Sequence, residues 1–441
     1  MNIILLSGGS GKRLWPLSND IRSKQFVRMF RSDAGELESM VQRVYRQIIA
    51  ADPGANITIA ASKKQVSQIR NQLGDKVRVC VEPERRDTFP AICLTALYLR
   101  EEQKLREDEP VVVCPVDPYV EAAYFESLKE LSGLAAKGET SLFLMGIEPT
   151  YPSEKYGYIL PVDPARISRV DAFREKPDME TARSYLRRGA LWNGGVFAAR
   201  LGYLLKCARE KIGFDDYRDF FRRYPEQQAI SFDYAVAEKE PDIRVLRYAG
   251  EWKDLGTWNT FTEAMATRSL GKVFRNESCE NTHVVNELNI PVLGMGCRNL
   301  VIAASNDGIL IADKEQSSYI KPFVEQMEKQ VRYAEKSWGS FRVLDVQEDS
   351  MTIKIVLLPG NSLHYHSHEQ RDEVWTVVGG RGRAILDGKE KAVRPGDVVA
   401  MKAGCRHTLI ADSELRVIEV QLGKEITVED KVKYEMPETA G

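Results

Sequence analysis

Over residues 1–265, short apolar runs alternate with longer stretches of helical period. Asn56-Ile57-Thr58-Ile59-Ala60, Val111-Val112-Val113-Cys114 and Ser141-Leu142-Phe143-Leu144-Met145 are bounded by turn residues and predict strands, and residues 121–137 predict a crossover helix. That alternation predicts an α/β domain with a mixed, mostly parallel sheet. Residues 266–330 change character. Short apolar pieces broken by Asn, Gly and Asp predict a β-rich connector, and SSYIKPFVEQMEKQVRYAEKS predicts a charged amphipathic linker helix. Across residues 331–441, strand-length runs alternate with turns at Pro359-Gly360, Gly379-Gly380, Asp387-Gly388 and Pro395-Gly396, the pattern of a small all-β barrel or sandwich.

At 441 residues the chain is long enough for two or three cores. A net charge of -2 predicts no general attraction to nucleic acid or to an anionic membrane. The seven cysteines include no Cys-x-x-Cys pair, so reduced thiols and a cytoplasmic protein are expected. The opening apolar run is short and lacks a basic leader, so neither a signal peptide nor a membrane anchor is expected there.

The first apolar run leads directly into glycines and cations. Glycine lets backbone amides approach a ligand closely, and amides at the mouth of a helix attract anions, so Gly8, Gly9, Ser10 and Gly11 suit phosphate. Two common phosphate loops do not fit. Lys12 is followed by Arg13 rather than Ser or Thr, and Leu14 stands where a dinucleotide loop carries its third glycine. What remains is a loop followed by Lys12, Arg13 and Lys24, cations able to spread over a triphosphate.

LSGGSGKRLWPLS…SKQF resembles the signature of the sugar nucleotidyltransferases, specifically the mannose-1-phosphate guanylyltransferases. The blocks EPERRDTFPAI (82–92), PVDPY (115–119), FREKPD (173–178), LWNGGVF (191–197), SFDYAVAEK (231–239) and WKDLGTW (252–258) recur in the expected order. The resemblance implies a Rossmann-like nucleotidyltransferase domain that joins GTP and mannose 1-phosphate with Mg²⁺, and a homo-oligomer. It implies that Asp117 and Asp254 hold Mg²⁺, that Arg13 and Lys24 neutralise departing pyrophosphate, and that Lys176 grips the sugar's phosphate. Leu6, Gly8, Gly9, Ser10, Gly11, Lys12 and Asp87 would line the nucleotide; Gly157, Glu175 and Asn193 would meet the sugar. Tyr156 and Trp192 are aromatic platforms in principle. Three positions depart from the pattern: Ser23 replaces a proline, Pro118-Tyr119 replaces a histidine after the aspartate, and Lys155 replaces a glycine.

The chemistry matches these residue types. A sugar phosphate is already an anionic nucleophile, so the difficulty in attacking an α-phosphorus is charge repulsion and alignment, which cations and positioning relieve without a side-chain base. The residues alone argue for a nucleoside triphosphate and a phosphorylated sugar. Another sugar 1-phosphate or nucleotide stays open, as does a non-catalytic nucleotide-sugar sensor, although a sensor has no use for a leaving-group clamp.

Four of the five histidines fall near the C-terminus. His364, His366 and His368 are two apart, so on a strand all three face one side. Gly360, His366, His368, Glu373 and Gly380 fall at the spacing of the first cupin motif, and Gly396, Gly404 and His407 follow the second. His366, His368, Glu373 and His407 form a nitrogen and oxygen donor set that suits Zn²⁺ or another divalent transition metal. A cupin behind such a transferase resembles the two-activity enzymes that also interconvert mannose 6-phosphate and fructose 6-phosphate. His368, Arg371, Glu373 and Trp375 agree with the isomerase run and other positions differ. Two readings follow: a second active site with Arg371 near the reacting end, or a metal-dependent binding and assembly module.

Overall fold

A computed structural model describes residues 1–8, 12–19, 21–32, 34–327, 331–424, 426–427 and 429–437. The chain forms two compact units, one of Met1–Leu14, Ser23–Arg268 and Lys314–Tyr319, the other of Trp15–Arg22, Ser269–Asp313 and Ile320–Gly441.

The first unit is built on a nine-stranded sheet. Its strands are β1 (Asn2–Leu6), β2 (Asn56–Ser62), β3 (Arg78–Glu82), β4 (Pro110–Pro115), β5 (Leu142–Ile147), β6 (Tyr158–Pro161), β7 (Ile167–Arg174), β8 (Leu191–Arg200) and β9 (Ile243–Tyr248), in the order 3-2-1-4-8-5-9-7-6. β7 and β8 run against the others, so the sheet is mixed but mostly of one direction, as expected. Val111, Val112, Val113 and Cys114 are fully buried because helices cover both faces, which explains why the run reads as continuously apolar rather than alternating. The expected crossover helix is present at Ala122–Lys137. Helix Thr88–Glu101 is apolar on nearly every side because it runs through the core beneath helices Leu201–Cys207 and Tyr217–Arg223.

β1, β2 and β4 lie side by side and parallel, with Leu6 in register with Ala60 and Pro115. The connections from β1 lead toward β2 and β3, whereas β4 lies on the other side of β1. Their carboxyl ends therefore open the crevice in which ligands of such sheets gather.

In the second unit the connector forms short strands, as its broken pattern predicts. Consecutive strands stack in parallel, Ser269–Leu270 on His283–Asn286 on Leu300–Ser305, and Val273–Arg275 on Val292–Gly294. This makes a small β-solenoid. The single amphipathic helix expected over the linker is not formed among the described residues. Pro322 starts a helix that covers only Lys321–Gln326, and Tyr333–Lys336 is a strand pairing with Gly339–Val346. The partner strand decides it: ladder hydrogen bonds win over helical period in a short polar segment.

The C-terminal part packs two antiparallel sheets around Leu357, Trp375, Val377, Leu409, Leu415 and Val417. One sheet includes Ser350–Leu357, Asp372–Gly379 and Leu415–Leu422; the other includes Gly382–Leu386, His407–Ala411 and His366–Ser367. Asp387 and Gly388 both have positive φ, the requirement of the two-residue hairpin turn that joins Gly382–Leu386 to Lys389–Val393.

Glu82 closes β3 with its carboxylate buried and accepting from the Tyr224 hydroxyl at 3.0 Å. Burial pushes this carboxyl up to about 7 from 4.5, the hydroxyl opposing the shift. The folded chain therefore holds a proton that the unfolded chain releases, and stability falls as pH rises through that window. Glu82→Gln should flatten this dependence. Comparing urea midpoints at pH 5 and pH 8, the variant should lose less than the natural chain on going to pH 8, by on the order of 1–3 kcal/mol.

Candidate functional site

The loop after β1 and the turn after β4 share the carboxyl edge of the sheet, with the Val116 amide donating to the Leu6 carbonyl at 3.3 Å. Gly8 is exposed there, with open space where a side chain would stand. Gly9, Ser10 and Gly11 lie outside the described residues. Lys12 and Arg13 open the short turn Lys12–Leu14, whose Leu14 anchors in the core. Lys24 opens a second short turn, Lys24–Phe26, tied back to the loop by Gln25, whose side-chain amide donates to the Ser7 hydroxyl at 3.0 Å. Ser23, at the departure from the usual proline, is fully buried and accepts from the Gln65 side chain at 2.9 Å.

Asp117 and Asp254 are far apart in sequence and meet through a short antiparallel ladder. Pro118–Val120 pairs with Trp252–Asp254, and Asp254 stands opposite Pro118, the neighbour of Asp117. The Lys24 ammonium lies between the two acids, 2.8 Å from Asp117 Oδ2 and 4.0 Å from Asp254 Oδ1. Burial lowers the pKa of Lys24, but the two carboxylates outweigh it and hold the ammonium above its ordinary value, with Arg13 opposing them. Burial raises Asp254, Lys24 and Arg13 pull it back, and Asp117 adds to the rise. Arg13, Lys24, Asp117 and Asp254 thus act on one another within one pocket of charge. Two half-exposed carboxylates with an oxygen-only donor set fit a hard divalent cation.

The sugar candidates form a second group. Gly157 and Asn193 are joined by a backbone hydrogen bond of 2.8 Å, and a Cβ at Gly157 would stand 2.4 Å from Glu175 Oε2. A side chain at Gly157 would push the Glu175 carboxylate from this position. β8 breaks register after Asn193, which itself stays in register with Gly146, and Gly195 at positive φ donates its amide to Asn193 Oδ1 at 3.0 Å. Lys176 donates to Glu175 Oε1 at 2.6 Å, and Glu175 Oε2 is buried without a hydrogen bond. Asp87 lies on another element: it caps helix Thr88–Glu101, accepting from the Thr88 amide at 2.7 Å.

The sequence reading missed several neighbours. Asp233 accepts from the Asn193 amide at 2.6 Å, and burial together with the Glu175 charge pushes its carboxyl up to about 6. Glu238 accepts from the Glu175 backbone amide at 2.9 Å. Trp252, two residues ahead of Asp254 on one strand, completes a wall with Tyr156 and Trp192, ring centroids 5.5 and 6.3 Å away. All three lie in the recurring blocks or beside them, but only packing distinguishes them from core residues.

In the cupin part, His366 and His407 pair across adjacent strands, and Glu373 points inward from the facing sheet. His368 Nε2 is 3.0 Å from Glu373 Oε1, and His407 Nε2 is 3.1 Å from Glu373 Oε2. The four candidate ligand atoms lie within 4.8 Å of one another, all on buried residues. Nδ1 of His366 bonds the His364 carbonyl, that of His368 the Asp430 carbonyl, and that of His407 the Cys405 carbonyl. A carbonyl only accepts, so each Nδ1 carries the proton and each Nε2 keeps its lone pair for the cluster. Burial drives His366 down to about 2, so it is neutral. This donor set is compatible with a metal site.

His364 does not join the cluster. It is exposed, because the strand there is only His366–Ser367 and its two-residue period does not reach back. Arg371 is buried against the ligands, donating to Glu373 Oε1 at 3.0 Å and lying 3.2 Å from His368 Nε2. Glu419 and Lys431 were not foreseen. Glu419 accepts from the Trp375 indole at 2.9 Å, and burial pulls the nearby Lys431 ammonium below its ordinary value against the pull of Glu419 and Glu373.

Residues 2–269 match the nucleotidyl transferase family and residues 354–421 the cupin domain family. The chain is similar to mannose-1-phosphate guanylyltransferase ManC of Salmonella typhimurium LT2, 28% identical over 98% of this chain and 97% of that protein. It is equally similar to the xanthan biosynthesis protein XanB of Xanthomonas campestris pv. campestris B100, 28% identical with the same coverage. Among solved structures, one described as mannose-1-phosphate geranyltransferase from Thermus thermophilus superposes with a TM-score of 0.62 at 26% identity, covering 74% of this chain and 98% of that one. No helix among the described residues is long and apolar enough to cross a membrane. The parallel strands with their glycine loop, and the family match across more than half of the chain, lead to one conclusion: this protein belongs to the nucleotidyl transferase family and carries a cupin domain behind its transferase domain.

Proposed function

We propose that the chain transfers GMP from GTP to mannose 1-phosphate, forming GDP-mannose and releasing pyrophosphate. The observation that carries this reading is the Lys24 ammonium between Asp117 and Asp254 at the carboxyl edge of β1 and β4. The names of relatives matched along almost the whole chain support the choice of guanine and mannose.

Asp117 and Asp254 would hold Mg²⁺, which when bound supplies positive charge to the phosphate oxygens. Gly8, Gly9, Ser10, Gly11 and Lys12 would donate to the triphosphate, and Asp87 would lie by the nucleotide. Glu175, Asn193 and Gly157 would seat the sugar, with Lys176 at its phosphate. The phosphate oxygen attacks the α-phosphorus unaided by a base. Arg13 and Lys24 meet the negative charge that builds on the departing pyrophosphate, so their worth is greatest in the transition state.

We further propose that the cupin holds Zn²⁺ or another divalent transition metal through His366, His368, Glu373 and His407. The supporting observation is chemical fit: His407 Nε2 and Glu373 Oε2 are buried without a hydrogen-bond partner. A second, isomerase activity on mannose 6-phosphate is favoured by one observation, the buried Arg371 guanidinium beside two of those ligands. There Arg371 would hold an anionic oxygen of the substrate, and the metal when bound would polarise its carbonyl.

Asp117→Asn and Asp254→Asn should each lower GTP-dependent pyrophosphate release with mannose 1-phosphate by roughly a hundredfold to a thousandfold while thermal melting stays unchanged. Near-normal rates in both variants would remove the metal assignment. A panel of other triphosphates and sugar 1-phosphates in the same assay should show GTP with mannose 1-phosphate as the preferred pair. Elemental analysis should find stoichiometric transition metal in the natural chain and none in a His366→Ala, His407→Ala double variant. Isomerisation of mannose 6-phosphate that is lost in Arg371→Ala with the metal retained would mark the cupin as an active site, and a metal-loaded but inert cupin would mark it as a binding module.

A further inference from the structure

The residues proposed to seat the sugar are held by one segment that the transfer chemistry does not use, residues 230–238. Its start is tied to the core. The Ile230 amide donates to the Arg86 carbonyl at 3.2 Å, the Phe89 amide donates back to the Ile230 carbonyl at 3.1 Å, and the Phe232 amide donates to Thr88 Oγ1 at 2.8 Å. Phe232 is fully buried, its ring centroid 4.6 Å from that of Phe197 on β8 and 6.2 Å from that of Phe89. From there the chain makes a single wide turn over Asp233–Ala237, closed by the Glu238 amide on the Asp233 carbonyl five residues back, at 2.9 Å. An ordinary helical turn sends side chains five apart to different faces. The wider turn brings Asp233 and Glu238 to the same one. Both serve the neighbouring group: Asp233 Oδ1 accepts from Asn193 Nδ2 at 2.6 Å, and Glu238 Oε1 accepts from the Glu175 backbone amide at 2.9 Å.

Asn193 is fixed at both ends of its side-chain amide, since its Oδ1 accepts from the Gly195 amide at 3.0 Å while Nδ2 donates to Asp233. Turning the amide over would set its oxygen against the Asp233 carboxylate and its NH2 against the Gly195 N–H, so the two bonds admit one orientation. One Nδ2 hydrogen is left without a partner among the described residues. Glu175 Oε2 is its complement, buried and without a hydrogen bond. Both residues border the same point, where a Cβ at Gly157 would lie 2.4 Å from Glu175 Oε2 and 3.2 Å from Asn193 Cβ. One donor and one acceptor at a small gap match hydroxyl groups, which donate and accept. A turn with only a structural task has no need of a second acid here: burial and the Glu175 charge push the Asp233 carboxyl up to about 6, a cost that a neutral side chain avoids.

We infer that Asp233 and Glu238 are positioning residues for the sugar: Asp233 commits Asn193 to donating, Glu238 sets Glu175 as the acceptor, and the pair selects a substrate by its hydroxyls. The inference rests on the reading of Glu175 and Asn193 as the sugar site. Neither Asp233 nor Glu238 has to touch substrate for this.

The test measures steady-state pyrophosphate release by the full-length chain, with GTP and mannose 1-phosphate varied in turn. Asp233→Ala should raise KM for mannose 1-phosphate by roughly tenfold with KM for GTP nearly unchanged, because the released Asn193 amide is free to turn its oxygen toward the sugar. Asp233→Asn keeps an acceptor at this place and should recover most of the loss. Glu238→Ala should behave like Asp233→Ala, and Glu238→Gln like the natural chain. Asp233→Ser, polar but too short to reach Asn193, serves the same comparison if the alanine variant melts without cooperativity. Because Asp233 acts through Asn193, adding Asp233→Ala to Asn193→Ala should raise KM no further than Asn193→Ala alone. An unchanged KM for mannose 1-phosphate in a folded Asp233 variant that lacks the acceptor would overturn the inference. So would equal rises in both KM values, an Asp233→Asn variant as impaired as Asp233→Ala, or losses that multiply in the double variant. If Asn193→Ala and Glu175→Gln themselves keep a normal KM for mannose 1-phosphate, the failure lies in the sugar-site reading; if they raise it while Asp233→Ala and Glu238→Ala do not, the positioning role alone falls.

Discussion

The candidate site at the carboxyl edge of the sheet is organised around one ammonium held between two carboxylates. Asp117 and Asp254 would repel each other across so short a gap, and Lys24 makes their approach tolerable. With Arg13 included, two cations face two acids and the cluster is close to neutral.

Several independent features of the fold converge on that cluster. The parallel order of β1, β2 and β4 opens a crevice at their carboxyl ends, and the short ladder of Pro118–Val120 with Trp252–Asp254 delivers the second acid from the far end of the domain. In the second candidate group, the antiparallel β8 breaks register after Asn193, and Gly157 leaves room for Glu175. The raised carboxyl of Asp233 belongs to the same packing, as the cost of burying a second acid beside Glu175.

The cupin cluster obeys a different rule. Its candidate ligands are buried, and the protonation of the three histidines is decided by backbone carbonyls: three Nδ1 atoms are committed to donating, so three Nε2 lone pairs face one acid. Arg371, Glu419 and Lys431 surround that centre with charge of both signs, which keeps a strongly polar interior inside an otherwise apolar barrel.

Much of this was legible in the chain itself. The alternation of apolar runs announced the α/β domain, the turn glycines announced the β domain, and block order named the cations and acids, because local pattern and residue chemistry are written position by position. The linker helix was misread because a strand partner outside the segment outweighed its helical period. His364 was misread because a two-residue strand cannot carry a face. Trp252 and Asp233 lie in recurring blocks, but that Trp252 joins the aromatic wall and Asp233 sits behind Asn193 is decided by packing. Residue types and spacing determined which chemistry was present; tertiary structure alone decided which groups meet, since a distance between residues hundreds of positions apart is set by packing and register and by nothing in the neighbouring sequence.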